Sequence, residues 1–172
     1  MDRQARSGFT LVEMLLALAL GAMLLGSMGA AMKALLDGYQ ANDRIASVSQ
    51  AARATLDHMM SDVRTASTVE STSSAMTITP AGQPTVQIQY QLDSDGKLYY
   101  RKTIAGGGTT SSVLLGGTGL VGVNTFAVAP LRLQDDLGQW YTSAVTVRLV
   151  LQCGNETLAM TASACPRRNQ EY

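Results

Sequence analysis

From Met14 to Met32 the chain reads MLLALALGAMLLGSMGAAM, a run with no charged side chain. As a helix this run extends about 28 Å, close to the roughly 30 Å hydrocarbon thickness of a bilayer, and it predicts a membrane span over about 12–32. Beyond Lys33 the apolar positions narrow to a stripe: Ile45, Val48, Ala52, Leu56, Met59 and Val63 recur three or four residues apart, as one face of a helix requires. The first proline is Pro80, and Gly38 costs a helix interior only about 1 kcal/mol. The pattern therefore predicts one helix over 9–66, about 87 Å long and amphipathic over 40–66. Two helices broken near Gly38 are the alternative.

After Thr65 the period changes from helical to alternating, with Ser, Thr and Gly between β-branched and aromatic residues. Thr77–Thr79 is a short strand candidate. Val86, Ile88, Tyr90 and Leu92 alternate, Asp93-Ser94-Asp95-Gly96 turns, and Leu98–Ile104 returns as a hairpin partner. The Ser/Thr-rich stretch 65–75 reads as a loop leaving the helix, 106–112 as a mobile loop, and Leu120–Val128 as a strand. Trp140 precedes the strongest alternation, Val145, Val147, Leu149, Leu151 and Cys153. Gly154-Asn155 then allows a tight turn into Leu158, Met160, Ala162 and Ala164. The expected fold is α+β, a long N-terminal helix whose second half packs on an antiparallel β-sheet. The β-rich part is 67–172, large enough to hold a core with the amphipathic helix as one wall.

Composition narrows the function classes. Hydrophobic residues make up 46% and charged residues 15%, and Lys+Arg 13 balances Asp+Glu 13. Such a chain is globular rather than disordered, and it has no broad basic field to hold nucleic acid, so no nucleic-acid partner is expected. Arg3 and Arg6 precede the span and, by the positive-inside rule, keep the N-terminus cytoplasmic and send the rest outward.

An ordinary secretory signal has a shorter apolar stretch followed by a small-residue cleavage site, and Ser27-Met28-Gly29 is a weak candidate for one. Glu13 fits that description badly. A carboxylate there costs about 2.5–3.5 kcal/mol at mid-bilayer and needs compensation. Glu13 also lies in the first helical turn, where the macrodipole favours an anion; a simple capping acid near the interface is the plainer reading.

Ser7-Gly8-Phe9-Thr10-Leu11-Val12-Glu13-Met14, a charged leader ending in Gly before a long apolar helix, resembles the class III signal shared by type IV prepilins and type II secretion pseudopilins. The resemblance implies a leader at 1–8, cleavage between Gly8 and Phe9 by a prepilin peptidase that also N-methylates Phe9, and pairing of Glu13 with a neighbouring subunit's amine. It also implies other pilin or pseudopilin subunits, an inner-membrane assembly platform and membrane lipid as partners. The protein would be single-pass in the inner membrane, with a periplasmic C-terminal part, before entering a pilus or pseudopilus. Residues 18–25 and 53–66 resemble most closely the W-type minor pilins and J-type minor pseudopilins.

No residue constellation points to catalysis, a metal or a cofactor. Asp93-Ser94-Asp95-Gly96 lacks the remaining ligands of a calcium loop and reads as a hairpin turn. Gly116-Gly117-Thr118-Gly119 lacks the Gly-Lys-Ser/Thr of a phosphate loop. His58, beside Asp57 and Asp62, has no partners at ligand spacing and reads as a surface histidine. No G-x-S-x-G or C-x-x-C occurs. Asp135-Asp136 reads as a solvated loop, and Arg167 and Arg168 as a solvated tail.

The cysteines pose a conflict. Outside the cytoplasm, Cys153 and Cys165 suggest a disulfide, and many pilins close a C-terminal loop that way. A two-residue turn at Gly154-Asn155, however, puts Cys165 opposite Ala144, about 30 Å along the strand from Cys153, whereas a disulfide needs Cα atoms within about 7 Å. The bond and an uninterrupted hairpin exclude each other. The expected function is a minor pilin or pseudopilin; the rivals are a membrane-anchored periplasmic enzyme or ligand-binding protein, and a competence pilus subunit that touches DNA. The last requires Arg101, Lys102, Arg132, Arg148, Arg167 and Arg168 to converge.

Overall fold

A computed structural model describes residues 9–72, 74–117, 121–134 and 136–166. The leader with Gly8, residues 118–120, Asp135, Arg167 and Arg168 lie outside the described residues. The arrangement is α+β and pilin-like: one helix, α1 (Leu11–Arg64), then eight strands. Gly38 does not interrupt the helix. It stops where the Thr65 amide is shared between the carbonyls of Ser61 and Asp62, both at 3.2 Å, and the chain turns directly into a strand.

The strands form two antiparallel sheets rather than the single sheet expected. Five strands follow in chain order: β1 (Ala66–Ser71), β2 (Ala75–Pro80), β3 (Val86–Leu92), β4 (Leu98–Ile104) and β5 (Thr109–Leu115). The second sheet holds β6 (Val121–Gln134), β7 (Trp140–Cys153) and β8 (Glu156–Ala164). Two segments read as loops are strands. β1 takes most of the Ser/Thr-rich stretch after the helix, and β5 takes the end of the Gly-rich segment. Both are edge strands with one side open to water, so few apolar residues suffice to place them. β6 also runs further than expected, through Pro130, which an edge strand tolerates.

The hairpins follow the turn chemistry. In β3–β4, Leu92 faces Leu98, and Gly96 takes φ 72° in the turn. In β7–β8, Cys153 faces Glu156 and Leu151 faces Leu158, with φ 61° at Gly154 and no positive φ at Asn155. Gly at the first central position alone is the requirement of a type II′ turn.

The chain divides into two compact units, meeting between Asp43 and Arg44. In the second unit the predicted stripe is buried from Val48 onward: Val48, Ala52, Leu56, Met59 and Val63, joined by Met60. Ile45 remains at the surface. These side chains share one core with Met76, Ile78, Tyr90 and Leu98 from the first sheet and Val145, Val147, Leu149 and Leu151 from the second. Thr55, buried among them, donates its hydroxyl to the Ala51 carbonyl at 2.9 Å and so leaves no unmet polar group. Hydrogen bonds run between the sheets. The Val123 amide donates to the Gly96 carbonyl at 2.9 Å, and the Thr142 hydroxyl donates to the Val69 carbonyl at 3.3 Å.

Candidate assembly site on the N-terminal helix

The helix begins with a cap written in its own sequence. Thr10 stands just outside the first turn, and its Oγ1 accepts from the Glu13 amide at 3.3 Å. Its carbonyl accepts from the Met14 amide at 3.2 Å. Thr followed by Glu three residues on is the capping-box pattern, and it satisfies one of the amides that a helix start leaves open. Glu13 is thereby fixed in the first turn, where the helix dipole favours its negative charge. Its carboxylate has no ion-pair partner among the described residues.

Around and beyond that carboxylate the helix is apolar on every side and uncovered. Phe9 is 79% exposed and Leu11 77%, and the most apolar stretch has no residue buried within the chain. Burying a leucine-sized side chain contributes about 1.5–3 kcal/mol. Leaving Leu15, Leu18, Met23, Leu25 and Met32 in water together is a large deficit, which lipid or partner helices must remove. The hydroxyl of Ser27 in this stretch donates to the Leu24 carbonyl at 2.8 Å and so is satisfied within the helix. By length and composition this helix can cross a membrane.

The other sequence candidates resolve into local structure. Asp95 pairs with Lys97 at 3.0 Å, and Asp93 pairs with Arg101 at 2.9 Å. Arg101 also donates to Gln91 and lies over the Tyr99 ring. The Asp93–Gly96 turn thus spends its carboxylates within the hairpin. Arg101 and Lys102 belong to the first sheet, Arg132 and Arg148 to the second, and Arg167 and Arg168 are outside the described residues. Among the described residues, no three His, Cys, Asp or Glu side chains group at metal-holding distance.

Of the two alternatives for the cysteines, the structure holds the hairpin. β7 and β8 pair without a break from Cys153–Glu156 to Val145–Ala164, and both cysteines are free. The hairpin is the alternative that stands, because moving Cys165 to Cys153 would unpair most of β8.

His58 is more engaged than a plain surface histidine. Its side chain is 55% exposed, yet Nδ1 lies 2.7 Å from the Tyr90 hydroxyl, and that hydroxyl donates to Asp62 Oδ2 at 2.7 Å. With the tyrosine proton directed at Asp62, Nδ1 of His58 carries the hydrogen and donates to Tyr90. Tyr100 closes the cluster edge-on, 5.5 Å from Tyr90 and 5.7 Å from His58. Burial, reinforced by the Asp62 hydrogen bond and charge, pushes the Tyr90 hydroxyl well above the usual tyrosine range. Burial and Asp62 also raise Tyr100. One signal for this cluster was legible beforehand, His58 and Asp62 four residues apart, but not the strand tyrosine that joins them.

No curated protein and no solved structure gives a significant match to the chain. Residues 3–29 match the family described as the prokaryotic N-terminal methylation motif. With that class III signal, the apolar helix beginning at Leu11 and the antiparallel sheets that follow it in sequence, the chain is consistent with the type IV prepilin and pseudopilin family.

Proposed function

We propose that the protein is a minor pilin or pseudopilin, a structural subunit that an inner-membrane platform assembles into a type IV pilus or type II secretion pseudopilus. A prepilin peptidase cleaves it between Gly8 and Phe9 and methylates the new amine of Phe9. Before assembly it spans the inner membrane once, N-terminus in the cytoplasm and β-rich part in the periplasm. The observation that carries this reading is a carboxylate, Glu13, on the first turn of a helix whose most apolar stretch no described residue buries. Paired with the Phe9 amine of a neighbour, Glu13 sets the register of adjoining helices, because a misaligned pair leaves a charge in hydrocarbon at a cost of about 2.5–3.5 kcal/mol. The chain's own contribution is packing and charge pairing, not catalysis.

Glu13→Ala tests it. The variant is expected to be cleaved, to stay in the membrane and to be missing from purified fibres, with mass analysis of the mature N-terminus reading the processing step separately. A mature chain that does not begin at methylated Phe9, or fibres that take up Glu13→Ala as well as wild type, overturns the assignment. An anchored enzyme or binding protein would keep its activity in the same variant.

A further inference from the structure

β8 pairs along its whole length with β7 and, among the described residues, with nothing on its other side. Free sheet edges are usually blunted by Lys, Pro or a bulge. β8 (ETLAMTASA) has none of these, and its only charge is at its first residue. Its inward residues are also poorly covered. Leu158, Met160 and Ala162 stay half-buried, whereas their β7 partners Leu151, Leu149 and Val147 are fully buried. The shortfall opens as a groove of about 500 Å³ between β8 and the helix, walled by Ser49, Arg53 and Asp57.

The two walls have the same length. Ser49 to Asp57 covers about 12 Å of helix and Leu158 to Ala162 about 13 Å of strand. Arg53 and Asp57 are exposed and have no hydrogen bond or ion pair with a described residue. One helical turn separates them by about 6 Å, close to the roughly 6.6 Å between same-face side chains two residues apart in a strand.

We propose that this groove is a strand-docking site: it takes an extended segment of a different protein chain, hydrogen-bonded to β8, with an acidic side chain at Arg53 and a basic one two residues away at Asp57. Apolar side chains on the same face of the segment complete the cover over Leu158 and Met160. A second copy does not fit, since none of the chain's own edge strands has the pair: β1 has only Glu70, β5 no charge, β6 only Arg132 and β8 only Glu156. The inference draws on the assembly reading only for where the segment comes from, a neighbouring subunit.

The test uses the full chain in lipid nanodiscs and a fluorescein-labelled nonapeptide in which threonine alternates with leucine, glutamate, lysine and leucine in that order. A control peptide has glutamine for both charges. The charged peptide is expected to bind saturably, about fivefold tighter than the control, and to protect alternate β8 amides from hydrogen exchange. Arg53→Ala/Asp57→Ala should erase the difference between peptides, while Arg64→Ala leaves it. Absence of saturable binding, equal binding of both peptides to wild type, or protection confined to residues outside 156–164 overturns the proposal. So does protection of β8 that rises with protein concentration without peptide, which assigns the groove to a second copy. Fibre incorporation of Glu13→Ala is read independently, so the two readings fail separately.

Discussion

The Tyr90 hydroxyl donates to Asp62 Oδ2 across 2.7 Å, joining the centre of β3 to the last turns of the helix. The tyrosine ring is fully buried, and its only polar atom is satisfied by that carboxylate on one side and by His58 on the other. Tyr90→Phe keeps the ring's packing and removes both bonds. It should cost about 1–2 kcal/mol, whereas Tyr90→Ala should cost about 3–5 kcal/mol by leaving a cavity. Urea unfolding of the full chain in detergent, followed by circular dichroism, measures both. Equal costs would mean that packing alone holds the site.

The same pair sets a response to alkali. Burial and then Asp62 hold the Tyr90 proton more tightly in the folded chain than the ordinary value of 10.0. Below that value the tyrosine is neutral whether folded or unfolded, and its full stabilisation is present. Above it the unfolded chain loses the proton first and binds fewer protons than the folded one, so stability falls as pH rises, by up to about 1.4 kcal/mol per pH unit for each such group. Tyr100, raised for the same reason of burial, adds to the slope. Unfolding midpoints measured above pH 10 should decline more steeply for wild type than for Tyr90→Phe, and parallel curves would contradict the assignment.

The cysteines give a chemical check on the second sheet. With Cys153 opposite Glu156 and both thiols free, a non-reducing peptide map should recover each cysteine singly. Cys153→Ser and Cys165→Ser should each change stability by less than about 1 kcal/mol, against about 2–5 kcal/mol for breaking a bond. A linked peptide pair would mean that β8 is not paired as described.

How much of this was legible depended on where each residue type gets its information. The β7–β8 register followed from Gly154-Asn155 and the alternation on either side, because a two-residue turn leaves no freedom in the pairing. The helix stripe from Val48 to Val63 was equally plain, since it is a period of apolar side chains. β1 and β5 were not. Their Ser and Thr residues are placed by hydrogen bonds to β2 and β4 rather than by burial, and alternation cannot register that. Two sheets instead of one were hidden for a related reason: the division falls between β5 and β6, where a Gly-rich link carries no pairing signal. At the N-terminus, Glu13 was legible as a charge in an apolar run, while the Thr10 cap emerged from the helix geometry.

Thr10 and Glu13 can be separated by experiment. The Thr10 hydroxyl accepts the Glu13 amide, whereas the Glu13 carboxylate has no ion-pair partner among the described residues. Thr10→Ala should weaken the first turn by about 1 kcal/mol, seen as faster hydrogen exchange at residues 11–13 in nanodiscs, while fibre incorporation persists. If Thr10→Ala blocks incorporation as completely as Glu13→Ala, the cap and the carboxylate act as one unit and the separate role given to Glu13 fails.

Gly116 tests how tightly the two sheets are joined. Its φ is 89°, and a Cβ there would lie 2.6 Å from the Gly96 carbonyl oxygen and 3.0 Å from the Lys97 Cα, both backbone atoms that cannot swing aside. That carbonyl is the one accepting the Val123 amide from the second sheet. Gly154 has φ 61°, with nothing within 4 Å of an added Cβ. Gly154→Ala should therefore cost only the left-handed backbone penalty of about 1–2 kcal/mol. Gly116→Ala bears that penalty and in addition must push the β3–β4 turn off β6, for a total of about 3 kcal/mol or more. Urea midpoints for the two variants, with hydrogen exchange at Val123 as the local readout, distinguish strain from displacement. Equal midpoints and an unchanged Val123 amide would show that the turn yields without disturbing the second sheet.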